Sequence, residues 1–137
     1  MTYEPTTTSA IAFEQVGRLE EWIHLFLCNE GNNQAFSDGL RLQPREYHAP
    51  RMMKLDLFER CCGPEDGLKY QIPASDFRKN IRAIAKKFKT GNWDMPPLII
   101  NHMDGKYELN DGNHRFEALQ KLGAHEYWVI IWETTEA

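Results

Sequence analysis

A row of five polar or small residues lies between a predicted strand and a predicted helix, in the order Asp111, Gly112, Asn113, His114 and Arg115. The helix that follows is marked by aliphatic residues at helical spacing. The first backbone N–H groups of a helix have no internal partner, and the helix dipole is positive at that end. The sequence therefore predicts a turn that can bind an anion.

Three side chains of this turn have functional groups suited to binding or catalysis. Asp111 can bind Mg²⁺ through a carboxylate oxygen or accept a substrate proton, or it can form an Asx turn or a helix cap. Arg115 can pair with a phosphate through its planar guanidinium. We favour this role over a surface ion pair, because an Arg at the positive end of a helix gains nothing from the dipole without an anion. His114 can donate to a phosphate, act as an acid or base, or be a hydrogen-bonded structural residue.

The other two residues of the turn serve the backbone. Gly112 meets a need for positive φ or for close approach of a ligand. Asn113 can cap the helix that begins at residue 114. Both residues would still present their backbone N–H groups to a bound anion.

A second polar cluster surrounds residues 61–64 and consists of Glu59, Arg60, Glu65 and Asp66. If it faces the turn across a cleft, Glu65 or Glu59 is a candidate catalytic base; the alternative is a solvent-exposed turn. Four further histidines show no spacing typical of metal ligands, so the sequence predicts no zinc site. They are His24, His48, His102 and His125.

Hydrophobic spacing predicts the elements that position the turn. Apolar residues at helical spacing indicate a helix over about 14–29 and another that starts near Ser75. Residues 58–62 are predicted as a brief helix. Residues 98–100, 107–109 and 127–132 are predicted strands, and Asp104-Gly105 forms a hairpin turn between the first two.

This mixture of strands and helices predicts an α+β fold, with a small mixed sheet of three to five strands packed with helices. Residues 1–12 are Thr-rich and aperiodic, and we expect a disordered N-terminal tail there. Residues 13–137 are expected to form a single domain.

Composition limits the function classes. The chain has 137 residues and a net charge of −4, which disfavours DNA as a ligand because binding DNA requires an excess of Lys and Arg. No apolar run has the length of a membrane span, and residues 1–9 lack the pattern of a secretory signal. We therefore expect no membrane partner and a cytoplasmic location.

The turn and its flanks resemble a known family. The run Asp111 to Arg115 resembles the D-G-x-H-R signature of the ParB/sulfiredoxin superfamily, and the resemblance extends over about 95–132, including the Asp-Gly hairpin and the final strand. Upstream segments look similar to a bacterial subgroup of ParB-like proteins: residues 21–24, 38–40 and 62–65.

The resemblance implies a single ParB/sulfiredoxin-like domain whose turn binds nucleotide phosphates through Gly112, Asn113, His114 and Arg115. It also implies Mg²⁺ with ATP, ADP or CTP as cofactor, and Asp111 as base or metal ligand. Two family activities are not expected. Sulfiredoxin has a Cys where this chain has Asn113, and partitioning ParB has a helix-turn-helix domain, which we do not expect because the sequence stops at Ala137.

Three functions follow from these observations. We favour a nucleotide hydrolase or a phosphotransferase that acts on a small molecule or a protein, and for this function we expect Arg115→Ala to abolish binding with little loss of fold. The alternatives are a ParB-like nuclease and a non-enzymatic regulatory or interaction module. For that module, the helix near Trp22 and the final aromatic strand are the predicted partner surface. The sequence does not specify an oligomeric state.

Overall fold

The computed structural model describes residues 1–60, 62–63, 70–71 and 73–135 of the chain. Within these ranges the helices are α1 (Thr7–Gln15), α2 (Leu19–Cys28), α3 (Gln34–Leu40), α4 (Ala74–Lys89) and α5 (Asn113–Lys121), and a short 3₁₀ helix covers Leu55–Leu57. The strands are β1 (Arg45–Tyr47), β2 (Arg51–Lys54), β3 (Phe58–Arg60), β4 (Cys62–Gly63), β5 (Tyr70–Gln71), β6 (Leu98–Met103), β7 (Lys106–Asp111) and β8 (Glu126–Thr134).

The main sheet is mixed and has six strands, one more than the predicted upper limit. Its order is β1-β8-β6-β7-β3, and β2 also pairs with β8. The hairpin between β6 and β7 turns at Asp104 and Gly105, both at positive φ, as the Asp-Gly pair predicts. Strand β8 runs parallel to β6, and β3 runs parallel to β7. The predicted α+β class is confirmed.

Helices cover both faces of the sheet. Along β6, Ile99 packs in one core cluster with α1 and α2, while its neighbours Leu98 and Ile100 pack in a second cluster with α5. This alternation follows from the two-residue period of a strand. Residues 98–100 of this strand are buried on both faces, which explains why they form a continuous apolar run.

The predicted disordered tail over residues 1–12 is not what the structure contains. Residues 7–12 belong to α1, whose first turn is capped by the Thr6 hydroxyl. The reason is burial: Ala10 and Phe13 are 0% and 2% exposed in the cluster that includes α2. The predicted helix over 14–29 is also divided, because Gly17 takes a left-handed φ of 73° between α1 and α2.

Residues 58–60 form a strand rather than the predicted brief helix. Strand β3 pairs in parallel with β7, and Phe58 is buried with Phe116 in the second core cluster. Tertiary pairing with a distant strand overrides the local pattern here. The start of α4 also differs slightly, because its N-cap is Pro73 rather than Ser75.

Among the described residues, no helix combines the length and the apolar character that crossing a membrane requires.

Candidate functional site

The Asp111–Arg115 turn joins the end of β7 to the start of α5, as predicted. Gly112 is the N-cap residue, with φ 102° and ψ 22°, and it offers no side chain to cap the helix. A Cβ atom added at this position would lie 2.7 Å from Leu98 Cδ2 and 2.8 Å from Arg115 Nη2. Both the positive φ and the lack of space therefore require glycine.

Asp111 and Arg115 form a buried ion pair. Arg115 Nη2 donates to Asp111 Oδ2 at 2.8 Å, and the residues are only 7% and 8% exposed, respectively. Arg115 Nη1 donates to the carbonyl oxygen of Pro96 at 3.1 Å, and the guanidinium lies 5.3 Å from the centre of the Phe26 ring. Burial raises the pKa of Asp111, and the nearby Arg115 charge and a hydrogen bond from Asn33 oppose that rise.

This pairing changes the predicted roles. The Asp111 carboxylate has Arg115 and Asn33 as partners, so it does not fit the role of an open Mg²⁺ ligand. Arg115 is paired with a buried carboxylate, whereas the sequence predicted a phosphate partner or a surface ion pair. The expectation that Arg115→Ala leaves the fold nearly intact is inconsistent with this geometry, because the substitution would strand a buried carboxylate.

His114 is half-buried and lies against α4. Its ring centre is 4.9 Å from that of Phe77, and its Nε2 atom is buried with no hydrogen-bond partner among the described residues. Burial, and then the Arg115 charge, lower the pKa of His114. The imidazole is therefore neutral near neutral pH and retains an unused hydrogen-bonding nitrogen.

Asn113 is 3% exposed, and its Nδ2 donates to the carbonyl oxygen of Leu109 at 3.3 Å. The predicted N-cap role belongs instead to Gly112. The Asn113 side chain therefore fastens α5 to β7.

A cleft of about 360 Å³ opens beside the turn. Four of the five predicted turn residues line it, and Asn113 does not. The other residues that line the cleft lie far from the turn in the sequence or on other elements, and no local pattern of the turn points to them. These residues are Pro5, Phe26, Glu30, Gly31, Ile84, Lys87, Trp93 and Pro96.

The cleft has an apolar side and a polar side. Phe26, Ile84 and Trp93 supply apolar surface, and the Lys87 Nζ atom lies 4.3 Å from the centre of the Trp93 ring. Glu30 brings a carboxylate that also accepts a hydrogen bond from the Tyr3 hydroxyl at 2.9 Å. A volume above 300 Å³ with few polar groups is typical of small-ligand sites.

The described residues of the second predicted cluster, Glu59 and Arg60, do not line this cleft. Glu65 lies outside the described residues, as does Asp66. Glu59 is exposed on β3 opposite Glu108 of β7, and it is not among the residues that line the cleft. Arg60 pairs instead with Glu117 of α5 at 3.6 Å and contacts the Phe77 ring, so it joins β3 to the helices.

Two tryptophans of the predicted partner surface are buried. Trp22 is 0% exposed and Trp132 is 6% exposed, both in the same core cluster. These residues therefore stabilise the fold and cannot form the contact surface of an interaction module.

No protein-family model matches the chain, and no curated protein matches it. Solved structures match it in part. A free serine kinase in complex with AMP is similar over 60% of this chain and 30% of its own length, with 21% identity and a TM-score of 0.47. Sulfiredoxin from Arabidopsis thaliana is similar over 61% of this chain and 84% of its own, with 19% identity and a TM-score of 0.44. A Pnob8-like ParB-N domain covers 69% and 33%, with 18% identity and a TM-score of 0.49.

The chain thus spans about a third of the length of the serine kinase and of the ParB-N protein. All three matches are proteins of the ParB/sulfiredoxin fold, the fold to which the turn and its flanks pointed. Similarity at this level of identity concerns the fold, and the activities of those proteins do not follow from it.

Proposed function

We propose that this chain binds a nucleotide, with its phosphates at the Asp111–Arg115 turn and its nucleoside against the apolar side of the adjoining cleft. The observation that carries the proposal is that one cleft combines the start of α5 with an exposed cation and an aromatic side chain. A nucleotide has the matching division into an anionic part and a flat, largely apolar part.

The phosphate end of the site depends on backbone and cation together. The N-terminus of α5 provides N–H groups and the positive end of the helix dipole. Lys87 adds an exposed positive charge at the same cleft. His114 also lines the cleft and adds a polar ring to its wall.

In this proposal Arg115 does not bind the phosphates directly, which is the role that the resemblance implied. Its charge is largely offset by Asp111, and two of its nitrogens already donate within the protein. It holds the turn against residue 96 and thereby fixes the direction of the α5 N–H groups. We therefore expect Lys87, rather than Arg115, to supply the net charge that the phosphates meet.

If phosphoryl transfer occurs, Glu30 is the carboxylate best placed to act as a base. It lines the cleft and lacks the buried Arg partner that engages Asp111. A base must lie within hydrogen-bond reach of the hydroxyl it activates. Glu30 thus takes the role that the sequence suggested for Glu65.

Binding is tested by calorimetric titration of the full chain with ATP, ADP and CTP, each with and without Mg²⁺. The informative variant is Lys87→Met, which removes the charge and keeps an apolar stem beside Trp93. We expect about a 10–150-fold loss of affinity, since a charged hydrogen bond contributes about 1.5–3 kcal/mol. Lys86→Met is the matched control, because Lys86 is exposed on the same helix and does not line the cleft.

The nucleotide proposal fails if no nucleotide gives saturable heat, or if both Lys variants weaken binding equally. Turnover is tested separately by phosphate release and by phosphoryl transfer to candidate hydroxyl acceptors. Glu30→Gln should leave nucleotide affinity nearly unchanged and abolish any turnover. Equal turnover by Glu30→Gln and the unmodified chain would remove Glu30 from the catalytic role.

A further inference from the structure

Three neighbouring strands place Glu46, Glu133 and His102 in a row across one face of the sheet. Glu46 of β1 lies directly opposite Glu133 of β8 in the antiparallel register. Asn101 of β6 is aligned with Trp132, so His102 follows alongside Glu133. His48 is two residues beyond Glu46 and therefore points to the same face as Glu46.

The Glu133 carboxylate contacts both histidines. Its Oε1 atom is 2.6 Å from His102 Nδ1, and its Oε2 atom is 3.2 Å from His48 Nε2. The His102 ring is also stacked on Tyr107, with ring centres 4.6 Å apart, which fixes its orientation. The Oε1 atom of Glu133 is thus held by His102 of β6, and the Oε2 atom faces His48, which follows β1.

A pair of carboxylates in direct cross-strand register is unfavourable without a neutralising partner. The Glu133 carboxylate carries one negative charge beside its two histidine partners. Glu46 is exposed and carries the second negative charge. A cation bound between the two strands would remove this repulsion.

We propose that Glu46, His48 and Glu133 bind a divalent transition-metal cation, with Zn²⁺ as the preferred ion. One ligand atom from each residue lies within 4.8 Å of the others, close enough to converge on a single ion with small side-chain movements. One imidazole and two carboxylates form a ligand set that suits Zn²⁺ or Mn²⁺ rather than a soft ion. Among the residues that the structure describes, no other group of three such side chains converges in this way.

His102 is a positioning residue in this site. Its bond to Oε1 leaves Oε2 of Glu133 free to exchange its His48 contact for a metal bond, in the manner of partners that orient metal-binding carboxylates. All three ligands are at least partly exposed, so further positions on the ion remain open to water or an exogenous ligand. The ion would also fasten the three-residue strand β1 to β8.

The proposal is tested on the full chain by calorimetric titration with Zn²⁺ and Mn²⁺ in a buffer that does not bind metals. We expect one site per chain. His48→Ala and Glu133→Gln should each weaken Zn²⁺ binding at least tenfold. His102→Phe keeps an aromatic ring on Tyr107 but loses the bond to Oε1, and it should weaken binding by about 10–100-fold. His125→Ala is the control, because His125 is exposed and outside the cluster.

Glu46→Gln separates metal binding from folding. Without metal it relieves the carboxylate repulsion, so its melting temperature should equal or exceed that of the unmodified chain. With Zn²⁺ it should lose the rise in melting temperature that the unmodified chain shows. The proposal is overturned if the unmodified chain shows no saturable binding up to about 1 mM Zn²⁺, or if His48→Ala and Glu133→Gln bind as it does.

Discussion

At the residue scale, the turn depends on an unusual backbone and a buried ion pair. Gly112 supplies the left-handed conformation that ends β7 and starts α5. Asp111 and Arg115 then brace the turn from within. The residues that resemble a ligand-binding motif therefore have large structural roles, and their substitution will change stability as well as binding.

Gly112→Ala should destabilise the chain strongly. The positive φ costs about 1–2 kcal/mol for a residue with a Cβ atom, and the contacts with Leu98 and Arg115 add about 1–3 kcal/mol. Gly123→Ala is the matched control, because Gly123 has φ 81° and open space around its Cβ position. Urea unfolding should show the larger loss for Gly112→Ala; equal losses would mean that Leu98 and Arg115 adjust freely.

Arg115→Ala should cost about 3–5 kcal/mol of unfolding free energy, because it leaves the Asp111 carboxylate buried without its counter-ion. The double variant Arg115→Met with Asp111→Asn should recover a large part of that loss, since no buried charge remains. Chemical denaturation of Arg115→Met, Asp111→Asn and the double variant measures the coupling. Additive effects of the two substitutions would contradict a coupled buried pair.

The His114 side chain should make stability depend on pH. Its pKa is lowered from 6.5 in the folded chain, so the unfolded chain takes up the proton first as pH falls. The stability it contributes is fully present above 6.5 and declines below that value, toward the folded pKa. Urea unfolding between about pH 5 and pH 8 should show a shallower decline for His114→Gln. The pKa of His24 is also lowered by burial, so some decline should remain.

At the element scale, α1 is attached to the loop that leads into β6. The Asp94 carboxylate accepts hydrogen bonds from the backbone N–H groups of Thr7 at 3.2 Å and Thr8 at 3.1 Å. The Thr7 hydroxyl donates to the carbonyl oxygen of Met95 at 2.6 Å. The next carbonyl, at residue 96, accepts from Arg115, so α1 and the turn are fastened to the same short loop.

Asp94→Ala should destabilise the chain by about 1–2 kcal/mol, because it removes an acceptor and a favourable negative charge from the N-terminus of α1. Asp94→Asn should cost less, since one acceptor oxygen remains. Hydrogen exchange of the α1 amides, measured with urea unfolding, should show faster opening in Asp94→Ala. Unchanged exchange in α1 would indicate that the Thr6 hydroxyl alone is a sufficient cap.

At the scale of the whole molecule, two helical layers enclose the main sheet, and residues from both layers line the cleft. Pro5 and Phe26 come from the N-terminal layer, while Ile84 and Lys87 come from α4 on the other side. The turn between them is the point where both layers meet the end of β7. The cleft is therefore a product of the complete fold rather than of any one motif.

Removal of residues 1–17 should weaken both stability and nucleotide binding. It deletes Ala10 and Phe13 from the core and exposes Trp22, which is fully buried. We expect a lower midpoint in urea and increased binding of a hydrophobic dye. Removal of residues 1–2 alone is the control, because it leaves Tyr3 on Trp22. Equal stability of the two shortened chains would mean that α1 is dispensable.

Local sequence patterns determined the parts of the fold whose causes are local. The hairpin at Asp104 and Gly105 and the strand-turn-helix around Gly112 follow from residues that are neighbours in the chain. The helix at residues 7–12 and the strand at residues 58–60 do not follow from neighbouring residues. Their conformations depend on packing against partners that are distant in sequence, which no local period records.

The sequence by itself determined the α+β class, the turn and the glycine it requires. Only the tertiary structure decided that Asp111 is the partner of Arg115 and that Lys87 and Glu30 belong to the same cleft. It also brought His48 and His102 to Glu133, although their spacing in the chain suggested no metal site. The physical reason is that strand register and helix packing set which side chains meet, and both are fixed only when the whole core forms.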